Sequence, residues 1–217
     1  LGEGATPETV NLWRNRQGNG LDIQRANVTV EGISFRNYNG SRQARAVTVR
    51  GANVTLRKLE IENCVRGIVV SAPDARVEAC VLRGVGQGIA GTSVNLTISD
   101  CVIESASGPS AYSFLTPNLR DGIRLYHPAE GGTVEHCVTR GFWAGLYIKT
   151  SPPLDPAQAR TFEIRHNTFL DGIRWGGGQS LARYRHNIIG QDRERTNPVA
   201  ALPGKGAVLE GNYFFNG

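Results

Sequence analysis

Eight segments of the chain share one arrangement of apolar and polar positions. In each segment the first residue is apolar or aromatic, and in seven of the eight the sixth residue is as well. The segments begin at Val30, Leu56, Val77, Ile98, Val134, Ile164, Tyr184 and Leu209. These starts lie 20 to 36 residues apart, and the apolar runs are too short and too rich in β-branched residues for amphipathic helices. The pattern therefore predicts short strands arranged as an internal repeat.

A second, shorter apolar run precedes most of these segments, and it usually opens on glycine. The runs are Gly20-Leu-Asp-Ile, Ala46-Val-Thr-Val, Gly67-Ile-Val-Val, Gly88-Ile-Ala, Gly122-Ile-Arg-Leu-Tyr, Gly145-Leu-Tyr-Ile and Gly172-Ile-Arg-Trp. Two or three short strands per rung, each stacked on its equivalent in the next rung, make a parallel β-solenoid. The sequence thus predicts one all-β domain, a parallel β-helix of about eight rungs over residues 20–217. Residues 1–19 are expected to be a lead-in, in which Thr6-Pro7-Glu8 starts a short capping helix.

The fourth position of the repeat holds a column of related side chains. It runs Ile33, Leu59, Cys80, Cys101, Cys137, Asn167, Asn187 and Asn212. Equivalent residues of a solenoid lie one strand spacing apart, about 4.8 Å, so we expect the three asparagines to form a hydrogen-bonded ladder. That spacing is slightly too long for a disulfide between parallel side chains, so we expect the three cysteines to be buried free thiols. The fourth cysteine, Cys64, falls outside this column.

The third position of the repeat holds Asp100, His136, His166 and His186. Imidazole is a common ligand of transition metals, so a metal centre is one interpretation of these histidines. Three side chains in a line along a stack of strands do not, however, converge easily on a tetrahedral centre. An exposed column at the edge of a turn is therefore the favoured interpretation, and we predict neither a metal nor a cofactor.

Composition and charge limit the classes of protein that this chain can represent. Its 217 residues, 40% apolar and 20% charged, are enough for one substantial core and exclude collagen, a disordered tail and a disulfide scaffold. No apolar stretch approaches the roughly 20 residues of a membrane helix. The net charge of +5 favours anionic partners, but no stacking platform with interleaved basic residues predicts nucleic-acid binding. The chain opens at Leu1 without a basic-then-apolar leader, so we expect a processed product or a piece of a longer protein.

Between about residues 20 and 217, the repeat resembles the right-handed parallel β-helix superfamily, which includes the pectate-lyase-like and periplasmic copper-protein-like repeat domains. The resemblance implies a right-handed coil and a secreted or periplasmic protein. It does not choose a function, because the superfamily includes lyases, hydrolases, esterases, epimerases and adhesins.

The longest excursions from the repeat point to one face of the coil. They cover residues 105–120, 149–161 and 191–205, and the first two flank the glycine-initiated strands of neighbouring rungs. Insertions into a solenoid commonly map to its binding face. Alternation along these strands predicts an outward column of Arg124, Tyr147 and Arg174, with Tyr126 and Lys149 beside it and His127 at the rim.

These side chains suit the chemistry of an acidic sugar. Arginine captures carboxylates through two hydrogen bonds, and cations crowded around a tyrosine or a lysine favour loss of its proton. We therefore expect the protein to engage a uronate-containing polysaccharide, by metal-independent β-elimination or C5 epimerisation. The expected roles are carboxylate binding for Arg124 and Arg174, the base for Tyr147 or Lys149, and the acid partner for Tyr126 or His127.

Two alternatives remain open at this level. The first is a non-catalytic polysaccharide-binding, structural or adhesive module. The second is an inverting glycoside hydrolase that uses Asp121 and Asp171, two rungs or about 9.6 Å apart, at the outer limit for such a pair; a turn-capping role is the safer interpretation of both. The aromatic last segment, Asn212-Tyr-Phe-Phe-Asn-Gly, predicts self-association, end to end or lateral, or additional chain beyond the last rung.

Overall fold

Each complete turn among the described residues contributes one strand to each of three parallel sheets. The computed structural model describes residues 11–13, 18–92, 94–106, 120–126, 130–149, 160–176, 182–190 and 207–215. Neighbours within a sheet are strands of successive turns, because the chain passes through the other two sheets before it returns. This topology confirms the predicted all-β parallel β-helix.

The three sheets are named A, B and C. Sheet A comprises β1 (Asn11–Trp13), β4 (Ser34–Arg36), β7 (Glu60–Glu62), β10 (Val81–Val85), β13 (Val102–Ser105), β16 (Val138–Arg140), β19 (Thr168–Phe169), β22 (Ile188–Gly190) and β24 (Tyr213–Phe215). Sheet B comprises β2 (Asn19–Ile23), β5 (Arg45–Val49), β8 (Arg66–Val70), β11 (Gln87–Gly91), β14 (Asp121–Tyr126), β17 (Ala144–Lys149) and β20 (Ile173–Gly176). Sheet C comprises β3 (Thr29–Glu31), β6 (Thr55–Arg57), β9 (Arg76–Glu78), β12 (Leu96–Ser99), β15 (Glu130–Glu135), β18 (Arg160–Arg165), β21 (Ala182–Arg185) and β23 (Val208–Glu210).

The interior of the coil holds one column of buried side chains from each sheet, and a second column from sheet B that comprises Val49, Val70, Leu125 and Ile148. Sheet A contributes Phe35, Ile61, Leu82, Ile103, Thr139, Phe169 and Ile189; sheet B contributes Val47, Ile68, Ile89, Ile123 and Leu146; sheet C contributes Leu56, Val77, Ile98, Val134, Ile164 and Tyr184. The columns from sheets A and C are the sixth and first positions of the repeat. Each of the eight predicted segments starts in a strand of sheet C, so the predicted register is confirmed.

A single residue with positive φ bends the chain between sheets C and A in every rung. These residues are Gly32, Lys58, Ala79, Asp100, His136, His166, His186 and Gly211, with φ between +51° and +65°. The left-handed conformation supplies a tight corner without a longer loop.

The histidines of this column are exposed and stack on one another. Their ring centroids lie 5.5 Å apart between His136 and His166 and 5.4 Å apart between His166 and His186. Asp100 Oδ1 lies 3.5 Å from His136 Nδ1. Within the described residues, no three His, Cys, Asp or Glu side chains are grouped as a metal site would require.

Asparagines and cysteines of the fourth position form one continuous hydrogen-bonded ladder. Each asparagine Oδ1 accepts a hydrogen bond from a backbone N–H of the preceding rung, at 2.9–3.0 Å. Each Nδ2 donates to a carbonyl of the preceding rung, at 2.7–2.9 Å. The Sγ atoms of Cys80, Cys101 and Cys137 lie 3.6–3.8 Å from the equivalent carbonyl oxygens, and each lies nearer, at 3.2–3.4 Å, to the carbonyl oxygen two residues earlier in the chain. The predicted ladder and the predicted free thiols are both confirmed.

Cys64 is also buried and free. Burial raises the pKa of its thiol to about 11. The thiolate is the nucleophilic form of cysteine, so this residue is inert at neutral pH.

The two ends of the described coil differ from its middle. Strand β1 pairs with β4 in sheet A, so that sheet begins within the predicted lead-in, while the Thr6-Pro7-Glu8 cap lies outside the described residues. In the last described rung, Leu209 and Phe214 occupy core columns but are exposed, and self-association there stays a prediction. The described residues include no helix that could cross a membrane.

Candidate functional site

Three adjacent strands of sheet B bring the predicted site residues side by side. Arg124 on β14 lies opposite Tyr147 on β17, which in turn lies opposite Arg174 on β20. Tyr126 lies opposite Lys149 in the same register. The predicted alignment of these five residues is therefore confirmed.

A glycine where each of these strands begins makes the close stacking possible. A Cβ atom on Gly122 would lie 2.7 Å from the carbonyl oxygen of Gly145 and 2.9 Å from the Thr139 side chain. Those distances are too short for any side chain, so only glycine allows the backbone of β14 to lie this close to Gly145 and Thr139.

The side chains of the outer face form an alternating series of guanidiniums and aromatic rings, here called the arginine–aromatic row. Its members are Tyr126, Arg124, Tyr147, Arg174 and Trp143. The Arg124 guanidinium lies 4.8 Å from the ring centroid of Tyr126 and 4.6 Å from that of Tyr147. The Arg174 guanidinium lies 5.2 Å from the Tyr147 ring and 3.8 Å from the Trp143 ring. All four contacts are within the range of cation–π interactions, so each ring holds a neighbouring guanidinium in place.

Burial divides the row into a base and an accessible part. Arg124 and Tyr147 are only 5% and 8% exposed, although their strands direct both away from the core. Arg124 Nη1 donates to Asp121 Oδ2 at 3.0 Å, and Asp121 is fully buried. The expectation of an open, solvent-facing column is therefore wrong for these two residues. Arg174, Trp143 and Tyr126 are partly exposed.

Lys149 is the exposed cation beside this row. Its strand neighbours in register are Tyr126 and Gly176. No carboxylate of the described residues is within salt-bridge distance of its ammonium group. The other predicted acid partner, His127, lies outside the described residues.

The two aspartates of the hydrolase alternative occupy different surroundings. Asp171 Oδ2 accepts a hydrogen bond from the backbone N–H of Phe142 at 2.9 Å, as the turn-capping interpretation predicts. Asp121 instead makes the ion pair with Arg124. Both carboxylates thus have structural contacts, and the hydrolase reaction stays untested.

Trp143 is the member of the row that sequence reasoning missed. It precedes β17 directly, where its backbone N–H donates to the carbonyl of Arg120 at 2.9 Å. The signal was the Phe142-Trp143 pair, two large aromatic residues at the start of a strand on the face that carries the insertions. Alternation rules apply within strands, so they did not reach a residue at the corner.

One strand per sheet in each turn defines the class of protein as a parallel β-helix. The model of the family described as "Right handed beta helix region" matches residues 8–116, half of the chain, and the chain belongs to this family. The coil is accordingly right-handed. No curated protein and no solved structure matches the chain. The row lies at residues 124–174, beyond the matched part, so its role has to be argued from its own chemistry.

Proposed function

We propose that this protein binds an acidic, uronate-containing polysaccharide on the outer face of sheet B. The observation that carries the proposal is the arginine–aromatic row, in which two guanidiniums alternate with three rings. Aromatic rings offer flat apolar surfaces to the faces of sugar rings, and a guanidinium binds a carboxylate through two parallel hydrogen bonds.

Members of the row contribute in different ways. Asp121 neutralises the buried Arg124, so the contribution of Arg124 is to position the rings of Tyr126 and Tyr147. Arg174 and Lys149 supply the positive charge that faces the ligand. Because Arg174 is already stacked on Trp143, little of its conformational freedom is lost when it binds a carboxylate.

Affinity measurements with variants of Arg174 and Trp143 test this proposal. Pectate and alginate are titrated against the protein, with an uncharged polysaccharide as the ligand control. Arg174→Gln and Trp143→Ala are each expected to weaken binding of the acidic polymers at least tenfold. The matched variant is Arg140→Gln, which removes one positive charge from an exposed arginine paired with Glu104 on sheet A. Equal losses in Arg174→Gln and Arg140→Gln would show that general charge, and not the row, drives binding.

A second candidate function is metal-independent β-elimination or C5 epimerisation of the bound uronate. It is favoured by the exposed Lys149 opposite Tyr126, because no carboxylate of the described residues pairs with its ammonium group, which must give up a proton to solvent before the neutral amine acts as a base. Tyr147 is buried, so Lys149 is the better placed of the two predicted bases.

The reaction would start when the Lys149 amine removes the C5 proton while Arg174 offsets the charge that develops on the carboxylate. In elimination, the C4–O bond breaks, a C4=C5 double bond forms, and the Tyr126 hydroxyl protonates the leaving oxygen. In epimerisation, the C4–O bond stays intact and the Tyr126 hydroxyl instead donates its proton to C5 from the opposite face.

Catalysis is tested separately from binding. Unsaturated uronate is followed by its absorbance and C5 inversion by proton NMR, on each acidic polysaccharide that binds. Lys149→Gln is expected to remove the reaction while it lowers affinity less than tenfold. If the parent protein binds but gives neither product, the chemistry is wrong and binding alone remains. Secretion or a periplasmic location agrees with such a ligand and stays a prediction.

A further inference from the structure

Arginines on the outer surface of the coil are mostly paired with an acid of a neighbouring rung. Examples from all three sheets are Arg36–Glu62 at 3.2 Å, Arg50–Asp22 at 3.1 Å and Arg57–Glu31 at 2.6 Å. The same arrangement recurs in later rungs, as in Arg165–Glu135 at 2.7 Å. Charge on the outer surface is thus largely neutralised from rung to rung.

Arg45 and Arg66 depart from this arrangement. They lie opposite each other on β5 and β8 of sheet B, and the next residue in their column is the uncharged Gln87. Among the described residues, no carboxylate is within salt-bridge distance of either guanidinium. The Nε atom of each is buried and donates no hydrogen bond. Two half-buried like charges are therefore stacked without a counter-charge.

The surroundings of Arg66 disfavour its positive charge. Burial lowers the pKa of Arg66 and the neighbouring charge of Arg45 lowers it further, while Tyr126 acts in the opposite direction. The outward residues between Arg66 and Arg124 are small, Val69 on β8 and Ala90 on β11. An anion placed among these guanidiniums would relieve their mutual repulsion.

Thr48 is a further unsatisfied polar residue on β5, where it lies opposite Asp22 of β2, whose carboxylate is paired with Arg50. It follows Arg45 by three residues, as Arg124 follows Asp121, and it is only 1% exposed. Its Oγ1 atom is buried and has no hydrogen-bond partner. A buried hydroxyl without a partner costs free energy unless a ligand or water satisfies it.

We propose that Arg45 and Arg66, with Thr48, form a second oxyanion site on the outer face of sheet B, for a carboxylate or sulfate group of a polysaccharide. The assignment of a polysaccharide as the carrier rests on the proposed function, whereas the oxyanion site itself does not. Guanidiniums of two adjacent rungs and a hydroxyl give the several donors that a planar carboxylate or a tetrahedral sulfate accepts.

The distance between the two sites sets the length of the ligand. Strands β5 and β20 are five strand spacings apart, so Arg45 and Arg174 are separated by about 24 Å along the coil axis. A polysaccharide that lies along the axis engages both sites, whereas a short oligosaccharide reaches one. Joining two binding events in one ligand raises the affinity without any new contact.

Thermal unfolding in the presence of inorganic sulfate tests the oxyanion site without any polysaccharide. At constant ionic strength, replacing chloride by millimolar sulfate is expected to raise the unfolding midpoint of the parent protein. Arg45→Gln/Arg66→Gln is expected to remove most of that shift. The matched control, Arg57→Gln/Arg83→Gln, also removes two positive charges, from arginines near Glu31 and Glu104. This control is expected to show the same sulfate-induced rise in the unfolding midpoint as the parent protein. An equal shift in the two double variants would overturn the site.

The dependence of affinity on polysaccharide chain length tests whether the oxyanion bound by Arg45 and Arg66 belongs to a polysaccharide. In the parent protein, affinity is expected to rise at least tenfold once the uronate chain exceeds the span between the sites. In Arg45→Gln/Arg66→Gln this rise should disappear, while the affinity for short chains at the row is kept. Arg45→Lys/Arg66→Lys preserves charge and is expected to recover only part of the rise, because lysine lacks the planar fork.

The two measurements separate the two proposals. A sulfate shift that depends on Arg45 and Arg66, together with no polysaccharide binding, would leave the oxyanion site standing and reject its carrier. Polysaccharide binding at the row without that shift would reject the oxyanion site alone.

Discussion

Individual polar side chains inside the coil fix one rung to the next. Asn187 is the centre of the buried ladder, since its Oδ1 accepts hydrogen bonds from both the backbone N–H and the Nδ2 of Asn167, each at 3.0 Å. Its own Nδ2 donates to the carbonyl of Ile164 at 2.8 Å. In a low-dielectric interior these bonds are expensive to break, because the partner groups cannot turn to water.

Replacing the central asparagine should therefore be costly. Asn187→Ala leaves several buried groups without partners and is expected to lower the free energy of unfolding by about 2–4 kcal/mol. Urea denaturation measures the change. The control is Asn53→Gly, at an exposed left-handed position where Nδ2 donates to Asn27 Oδ1 at 2.7 Å. An Asn187→Ala variant as stable as this control would contradict the role given to the ladder.

The buried Asp121–Arg124 pair should be equally sensitive to loss of one partner. Asp121→Asn keeps the size of the side chain but leaves the Arg124 charge buried without its counter-charge, which is expected to cost about 3 kcal/mol. Asp121→Asn/Arg124→Gln removes both charges and should recover part of that loss. If urea denaturation shows the single variant to be no less stable than Glu31→Gln on the exposed surface, the pair is not a structural base for the row.

Strands and ladders are the elements that the amino-acid pattern predicts best. Each strand of sheet C contains the first residue of one repeat, and the asparagine ladder and the free thiols follow from the strand spacing alone. What the pattern could not predict was burial on the outer face. Alternation indicates which way Arg124 and Tyr147 point, but the ion pair with Asp121 depends on a contact that alternation does not describe.

The thiol part of the ladder should accept asparagine, because Sγ and Nδ2 face equivalent carbonyls. Cys137 precedes Asn167 in the column, and its Sγ lies 3.7 Å from the carbonyl oxygen of Ile98 and 3.2 Å from that of Glu135. Cys137→Asn is expected to keep the free energy of unfolding within about 1 kcal/mol of the parent, whereas Cys137→Ala should lower it by about 1–2 kcal/mol. Denaturant unfolding distinguishes them, and a Cys137→Asn variant less stable than Cys137→Ala would contradict a shared ladder.

For the whole molecule, the distribution of charge separates the faces of the coil. On sheets A and C, most arginines pair with a glutamate of a neighbouring rung, as in Arg57–Glu31 and Arg140–Glu104, although Arg76 on sheet C makes no ion pair among the described residues. On sheet B, Arg45, Arg66 and Lys149 have no such partner among the described residues. The net charge of +5 alone indicated an anionic partner, but it could not predict which face would carry the excess.

Binding of an acidic polysaccharide should consequently depend on salt. Raising the ionic strength from low to physiological values is expected to weaken binding to the parent protein about tenfold or more. The reason is that binding releases counterions from the polymer, and the entropy gained by their release is smaller when the surrounding solution already contains more salt. The slope of log affinity against log salt, measured by titration, should be smaller for Arg45→Gln/Arg66→Gln than for the parent. Affinity that does not change with salt would contradict an electrostatic site.

A crystal structure of the protein in complex with a uronate oligosaccharide tests the central claim most directly. We predict sugar rings along the outer face of sheet B, with one ring against Trp143 and its carboxylate bound to the Arg174 guanidinium. Sugar bound instead to sheet A, to sheet C or to an end of the coil, with the arginine–aromatic row empty at saturating ligand, would contradict it.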